Sequence, residues 1–470
     1  MGKQVYASEI NLEKLDILTG GNGVRYNLIP HLVELNIYEN IFLPNLSANI
    51  TLTDASNLPA TLPIVGEEKI EVVYSLAATD GKREKVSPAP LHTHDLKGRF
   101  LKSPQSEQFT LDLVSEQYIN NSHTRISKSY SDGTWTASDI VQDIWSNYMD
   151  DDHGDLDVEE SEGIVNCVIP NWTPYQVFNW LCDRTYSESD FEGRARNYLY
   201  YETMDESHFK SLHMMAQDNE HDIVFTLNPR VVDPTKVMGL SGSHKIIKVE
   251  SIKYGSQFQK IKNINEGMYA SKLITHDIVK KKILQHDYNM VADYAILKAD
   301  EKVSGNPVIS FADTHPLKHG YTYRTQFAPT EGEPVTEGRH LFDFTDSKVD
   351  YYPKHNQMFV TNTGTLHDNK VENWLQRRSS QMIQYDGIRM MVRCSGVSFI
   401  RIGMVVTLLV PSPSSRKAGQ SEEAFDRYLS GKYIITAIRH ILGYDKGETT
   451  YAMLVELRKD GVANDLFGEK

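Results

Sequence analysis

Between Leu46 and Thr53 the chain alternates strictly, with Leu46, Ala48, Ile50 and Leu52 on one face of an extended segment and Ser47, Asn49, Thr51 and Thr53 on the other. A two-residue period marks a strand with one face in a core and the other toward water. Asp54-Ala55-Ser56-Asn57-Leu58-Pro59 ends the run with turn-forming residues. Ile70–Tyr74 and Phe109–Val114 read as further short strands, so residues 1–115 predict a small barrel or sandwich.

The period then changes to that of a helix. Thr136-Ala137-Ser138-Asp139 supplies an N-cap and an acid for the first turn, and Ile140, Val141, Ile144, Trp145, Tyr148 and Met149 follow at helical spacing. Thr173-Pro174-Tyr175-Gln176 joins a cap, a proline at the first helical position and a capping-box glutamine; Val177, Phe178, Leu181 and Cys182 then line one face. The acidic stretch Asp150–Glu162 between these helices reads as a solvated linker. A mixed α/β domain over 116–235 is the natural reading.

Strand character returns at Lys245–Tyr254. Residues 276–370 are polar, have few periodic runs and read as an insertion. A helix from Trp374 to Asp386, closed by Gly387, precedes strand-like runs at Ile388–Cys394, Met404–Val410, Tyr433–Leu442 and Tyr451–Leu457.

At 470 residues the chain is long enough for about two to four domains. Its 40% hydrophobic and 24% charged residues suit a globular protein, and 25 tyrosines suit a β-rich one. No run is long and apolar enough to cross a membrane, and Met1-Gly2-Lys3-Gln4-Val5-Tyr6 lacks the apolar core of a signal peptide. Cys167, Cys182 and Cys394 are odd in number and scattered, which predicts reduced, buried thiols. The net charge of −14 disfavours tight binding to a phosphate backbone, which needs clustered Lys and Arg.

The motifs of common chemistries are incomplete. Gly239-Leu240-Ser241-Gly242-Ser243 has serine where a nucleophile elbow ends in glycine. Gly21-Asn22-Gly23 lacks the third glycine of a dinucleotide loop, because Tyr26 stands there; Gly431-Lys432 lacks the upstream glycine of a phosphate loop, because Asp426 stands there. His92-Thr93-His94-Asp95 would place two imidazoles on one face of a strand, but no third metal ligand is evident and an exposed loop is the simpler reading. Asp150–Asp157 fits no calcium-loop register. Arg377-Arg378 and Lys280-Lys281-Lys282 read as solvated helix faces. No catalytic, cofactor-binding or metal residue is assigned, no cofactor is expected, and the protein is expected not to be an enzyme.

Several blocks occur in an order that resembles the baseplate hub proteins of contractile-tailed bacteriophages. They include Tyr38-Glu39-Asn40-Ile41-Phe42, Leu62-Pro63-Ile64-Val65-Gly66, Val114-Ser115-Glu116, Asn171-Trp172-Thr173-Pro174, Tyr198-Leu199-Tyr200-Tyr201-Glu202, Gly267-Met268-Tyr269-Ala270 and the segment from Asp426 to His440. Residues from about 288 to 370 lie outside the pattern. The hub part of type VI secretion spikes belongs to the same resemblance.

The resemblance implies a mainly β fold with α+β additions: two tail-tube-like antiparallel β-barrels plus smaller mixed domains. On that reading the first β-barrel spans 1–115, the mixed domain 116–235, the start of the second barrel 236–275, the polar insertion 276–370, the rest of the second barrel 371–462 and a C-terminal tail 463–470. It further implies a homotrimeric ring that adapts a six-fold tail tube to a three-fold spike, with DNA leaving through its lumen; the net charge of −14 reads as solubility or, in such a ring, as an acidic lumen that DNA does not stick to. The implied partners are a central spike protein, a tail tube initiator or tube protein, a tape measure protein and baseplate wedge proteins, with no sequence-specific nucleic acid binding and no membrane span. The chain ends at Lys470 without spike-like repeats, so the spike is expected to be a separate chain. The implied location is the virion tail baseplate, after synthesis in the host cytoplasm. Two alternatives remain: a tail-tip cell-wall hydrolase using some of His276, Asp277, His286, Asp287, His315 and His319, and a receptor-binding tail protein of similar β-rich build.

Overall fold

The alternating run at Leu46 is a strand in the computed structural model, which describes residues 10–19, 23–77, 83–149, 155–186, 197–217, 223–227, 245–257, 259–290, 344–355, 359–360, 366–367, 370–411, 425–426, 428–445 and 448–460. The N-terminal part contains β1 (Ile10–Leu18), β2 (Arg25–Asn27), β3 (Leu32–Asn40), β4 (Ser47–Asp54), β5 (Lys69–Ala77), β6 (Arg83–Val86), β7 (Leu91–Ser103) and β8 (Ser106–Ser115), with a short α1 (Leu58–Thr61) after β4. They pair in the order β2-β1-β5-β7-β8-β4-β3, with β6 alongside β5, all antiparallel. Leu46, Ala48, Ile50 and Leu52 are buried, while the alternate positions on β4 are half-buried, as the two-residue period requires.

The middle of the chain contributes α2 (Glu116–His123), β9 (Ile126–Tyr130), α3 (Ala137–Ile144), β10 (Leu156–Val158), β11 (Cys167–Trp172), α4 (Pro174–Cys182), β12 (Tyr198–Glu202), β13 (Ser207–Ser211) and α5 (Leu212–Gln217). Both expected caps form as full capping boxes, Thr136 with Asp139 and Thr173 with Gln176. The helical spacing from Ile140 to Met149 spans two elements, because α3 runs on into a π-helical turn from Trp145 to Met149. Ile140, Val141, Ile144, Phe178 and Leu181 meet Tyr130, Tyr198 and Phe209 in a separate core. The acidic stretch is not wholly a linker: Leu156, Asp157 and Val158 pair in parallel with Ser207, His208 and Phe209.

The remaining elements are β14 (Ile223–Thr226), β15 (Lys245–Gln257), α6 (Lys260–Asn265), β16 (Ala270–Asp277), β17 (Lys282–Asn289), β18 (Val349–Pro353), β19 (Phe359–Val360), β20 (Leu366–His367), α7 (Val371–Gln384), β21 (Ile388–Ser395), β22 (Val405–Leu409), β23 (Gly431–Asp445) and β24 (Glu448–Lys459). Six of them close into a barrel, β14-β15-β21-β24-β23-β22 and back to β14. The fold is mainly β, with helices and smaller sheets attached.

The barrel departs from a purely antiparallel one at β14, which runs parallel to both β15 and β22. Its four residues, Ile-Val-Phe-Thr, are all buried, without the alternation of a half-buried strand, as expected of a strand covered on both faces. This strand lies within 116–235 in sequence yet belongs to the closed barrel. Conversely, β16 pairs with β17 and β18 in a separate three-stranded sheet, which rests on α7 through Leu273, Val371 and Trp374.

The N-terminal sheet does not close on itself. Its edge strand β3 pairs with β23 from Glu34↔Gly443 to Asn40↔Ala437. Its β1 meets β24 where the Thr449 hydroxyl donates to Ile10 O at 2.7 Å. The 15-residue β23 thus serves two bodies: its first residues pair with β22 inside the barrel, and its later ones carry the N-terminal sheet. One continuous core results, holding Leu35, Ile37 and Tyr74 with Ile438, Leu442 and Tyr451.

Candidate functional site

The seam between the two β bodies holds a buried polar cluster. Alternation along β3 turns Glu39 inward among Leu35, Ile37 and Ile41, and alternation along β23 does the same for His440. His440 Nε2 lies 3.1 Å from Glu39 Oε2, and His440 Nδ1 lies 2.7 Å from the Tyr451 hydroxyl. Tyr451 packs edge-on against Tyr74 of β5. Met204 N donates to Glu39 Oε1 at 2.7 Å, which ties in the loop after β12. Burial pushes the Glu39 carboxyl up, but the bond and charge of His440 and the Met204 N–H outweigh it, so the group sits below its ordinary value.

A second buried carboxylate fixes the middle domain. Glu202, at the end of β12, accepts from Leu46 N at 2.9 Å, from the Ser115 hydroxyl at 2.6 Å and from the Tyr175 hydroxyl. Burial prevails over these donors and raises its pKa to about 7. Arg378 of α7 adds a further tie, donating to Asp183 Oδ1 at 2.9 Å and to Tyr198 O at 3.0 Å.

Between the β10-β13-β12 sheet and the barrel turn Arg401–Met404 lies an open cavity of about 310 Å³, lined by Asp157, Tyr201, Glu206, His208, Lys210, Met215 and Arg401 among others. The two-residue period explains its chemistry, because His208 and Lys210 share one side of β13, Glu206 stands in the turn just before it and Asp157 is the registered neighbour of His208. Tyr201 stacks on the His208 ring at 4.8 Å between centroids. Arg401 closes the far wall on Asp205 at 2.8 Å. Burial and the nearby Lys210 charge hold His208 down to about 4, so its ring is neutral near pH 7.

Among the described residues, the positions singled out from sequence are not brought together. His92 and His94 lie on β7, a strand and not a loop; His92 is half-buried, 3.7 Å from Glu116, and His94 is exposed. Gly431 and Lys432 begin β23. His276 bonds Tyr351, Asp277 lies 3.7 Å from His355, His286 lies 3.1 Å from the Thr275 hydroxyl and Asp287 accepts from Gln285, so no catalytic constellation forms among them. His315, His319, Gly239–Ser243 and Asp150–Gly154 lie outside the described residues. Lys280 and Lys281 occupy the exposed turn between β16 and β17, and Lys282 starts β17; none is on a helix. Arg378 is a clamp between α7 and the middle domain, not a solvated face. Cys167, Cys182 and Cys394 are free and buried, as expected. No described helix is long and apolar enough to cross a membrane.

No protein-family model and no curated protein matches the chain. Among solved structures it is similar to a tail protein of Neisseria meningitidis, at 10% identity and a TM-score of 0.49, covering 96% of this chain and 97% of that one. A 43 kDa prophage tail protein of Shewanella oneidensis gives 10% identity and 0.45, with 95% and 97% covered. A component of the type VI secretion system of E. coli gives 8% and 0.40, with 97% and 79% covered.

The sequence reading missed the Asp157–His208 group and the Glu39–His440 pair. The first rests on a three-residue strand inside an acidic stretch, paired with residues about fifty positions later. The second joins residues 401 apart in sequence. Only the polar residue interrupting each apolar alternation, Glu39 after Leu35 and Ile37 and His440 between Ile438 and Leu442, marks them in advance.

Proposed function

We propose that the chain is a structural subunit of a contractile-tail baseplate hub, three copies of which form a ring around an axial channel. The observation that carries this reading is the strand run β15-β14-β22-β23-β3-β4-β8-β7, which crosses from the barrel into the N-terminal sheet without interruption. The sheet continues past β7 to β5 and past β15 to β21, but at each of these ends a stretch of strand edge is left uncovered. Among the described residues, β5 pairs with β7 only at Leu91 and His92, and β14 covers β15 only from Lys245 to Lys248. An unpaired edge of this length is a template for another strand. With one open edge on each flank, copies joined head to tail either close into a ring or grow into a filament. The chain already joins its own two β bodies by one such edge, β3 on β23. The ordered sequence blocks support the same reading.

In this role the two β bodies of each chain present six similar units per trimer, matching a six-fold tube above and a three-fold spike below. The net charge of −14 per chain suits a channel through which DNA passes without adhering. The partners on this reading are the spike, the tube initiator, the tape measure and the wedge proteins, all within the virion tail. Light scattering on the purified chain, alone and mixed with its spike, tests the proposal. A particle of three chains of 53.5 kDa is expected. A chain that stays monomeric with and without the spike overturns it.

A further inference from the structure

We infer that Asp157, Glu206 and His208 form a binding site for a divalent transition-metal ion at the joint between the middle domain and the closed barrel. This inference does not rest on the hub reading. Among the described residues these three form the one group whose ligand atoms all lie within 4.8 Å of one another. Asp157 and His208 come from adjacent registered strands, so their spacing is set by backbone pairing, and Glu206 stands in the β12–β13 turn just before β13, where its carbonyl accepts from Thr203 N at 2.9 Å.

Two features separate the group from an ordinary acidic surface. His208 Nδ1 is sealed from solvent, has no hydrogen-bond partner, and lies 3.5 Å from Asp157 Oδ2. A buried ring nitrogen left unpaired destabilises the fold, and a metal bond would remove that cost. The ring is also held in place, by Tyr201 stacked on its face and by the Thr203 hydroxyl 3.5 Å from Nε2. The second feature is the lining: the carboxylates of Asp157, Asp205 and Glu206 face the same cavity as His208, with Lys210 and Arg401 as their counter-charges.

The ligand types select the ion. One imidazole and two carboxylates suit Zn²⁺, Mn²⁺ or Fe²⁺ better than Ca²⁺, which takes about six to eight oxygens. Zinc binds nitrogen and oxygen at about 2.0–2.2 Å. Asp157 Oδ2 already faces Nδ1, whereas Glu206 Oε1 faces Nε2 at 3.8 Å and must swing toward Nδ1, which its 41% exposure allows; the cavity leaves room for water as a fourth ligand. The competitor is Lys210, whose ammonium bonds Asp157 and must swing aside. This predicts a site of moderate affinity that tightens when the lysine is removed.

The test uses the untagged full chain, stripped with a chelator and titrated with ZnCl₂ by calorimetry, with thermal melts in parallel. One ion per chain and a higher melting temperature are expected. His208→Ala is expected to weaken zinc binding by more than about 100-fold, beyond the loss typical of a merely supporting group. Lys210→Met is expected to strengthen it several-fold. Co²⁺ is expected to give visible d–d absorption that His208→Ala loses, and apo melts of both variants report whether they fold. No zinc-dependent heat or melting shift in the wild-type chain overturns the site. An equal response in His208→Ala also overturns it, because the ion would then sit on other histidines.

Discussion

His440 of β23 faces Glu39 of β3 at 3.1 Å across the seam between the closed barrel and the N-terminal sheet, and both side chains are sealed from solvent. The pair sits where sheet pairing alone would allow the two bodies to slide by two residues, and it fixes the register. Removing one partner strands the other in an apolar core. We expect His440→Ala to cost about 3–5 kcal/mol in urea unfolding. In a double-mutant cycle with Glu39→Gln, a coupling of more than about 1 kcal/mol is expected, because the two groups are in direct contact. A coupling near zero would mean that the pair does not hold the seam. Since the Glu39 pKa is lowered on folding, its contribution is present above its unfolded value of 4.5 and lost as pH falls below that value.

Glu202 has the opposite sign. Its pKa rises from 4.5 to about 7 on folding, so the folded state holds a proton that the unfolded chain has released. Its contribution is fully present below pH 4.5, declines between 4.5 and 7, and is flat above. Two and a half units correspond to about 3 kcal/mol. The windows of Glu39 and Glu202 meet near 4.5 and do not overlap, but His208, held down to about 4, titrates in the same range with the opposite slope, so the Glu202 contribution is read as the difference between the wild-type and Glu202→Gln profiles from pH 4.5 to 8. That difference is expected to shrink as pH rises from 4.5 to 7; a difference that does not change with pH would assign the slope to other groups.

Gly396 is needed for close approach, not for its backbone angles. A Cβ built there would lie 1.9 Å from the Tyr451 ring, the same ring that meets Tyr74 and His440. Tyr451 is fully buried and has no room to retreat. We expect Gly396→Ala to destabilise the chain by about 2–3 kcal/mol, the upper range for overpacking a core. Thermal melts check this; a loss below about 0.5 kcal/mol, the level of a neutral surface change, would mean that the seam can repack.

Much of the fold could be read from local pattern. The alternation at Leu46–Thr53, the caps at Thr136 and Thr173, and the runs of β21 to β24 all appear where the residues require them, because each is set by neighbours within a few positions. What could not be read depends on distant partners. Ile223–Thr226 is a barrel strand only because β15 and β22 flank it, and three apolar residues and a threonine carry no period that distinguishes strand from helix. Asp157 looks like one acid among many until β10 pairs with β13 and sets it beside His208. Arg378 looks like a surface charge until Asp183, 195 residues away, receives it.

The open edges of β7 and β15 give the sharpest test of the ring. Leu101 on β7 is 75% exposed and Tyr254 on β15 is 51% exposed, so neither is needed for the fold of a single chain. Leu101→Glu and Tyr254→Glu are each expected to change monomer stability by less than about 0.5 kcal/mol. In a head-to-tail ring every interface joins one edge of each kind, so either substitution alone damages all interfaces and is expected to abolish the trimer in light scattering. Mixing the two variants restores one sound pairing, between β7 of the Tyr254→Glu chain and β15 of the Leu101→Glu chain, and leaves the remaining edges damaged. The mixture is therefore expected to stop at heterodimers. A mixture that forms trimers, or single variants that do so unaided, would show that the ring is held by some other surface.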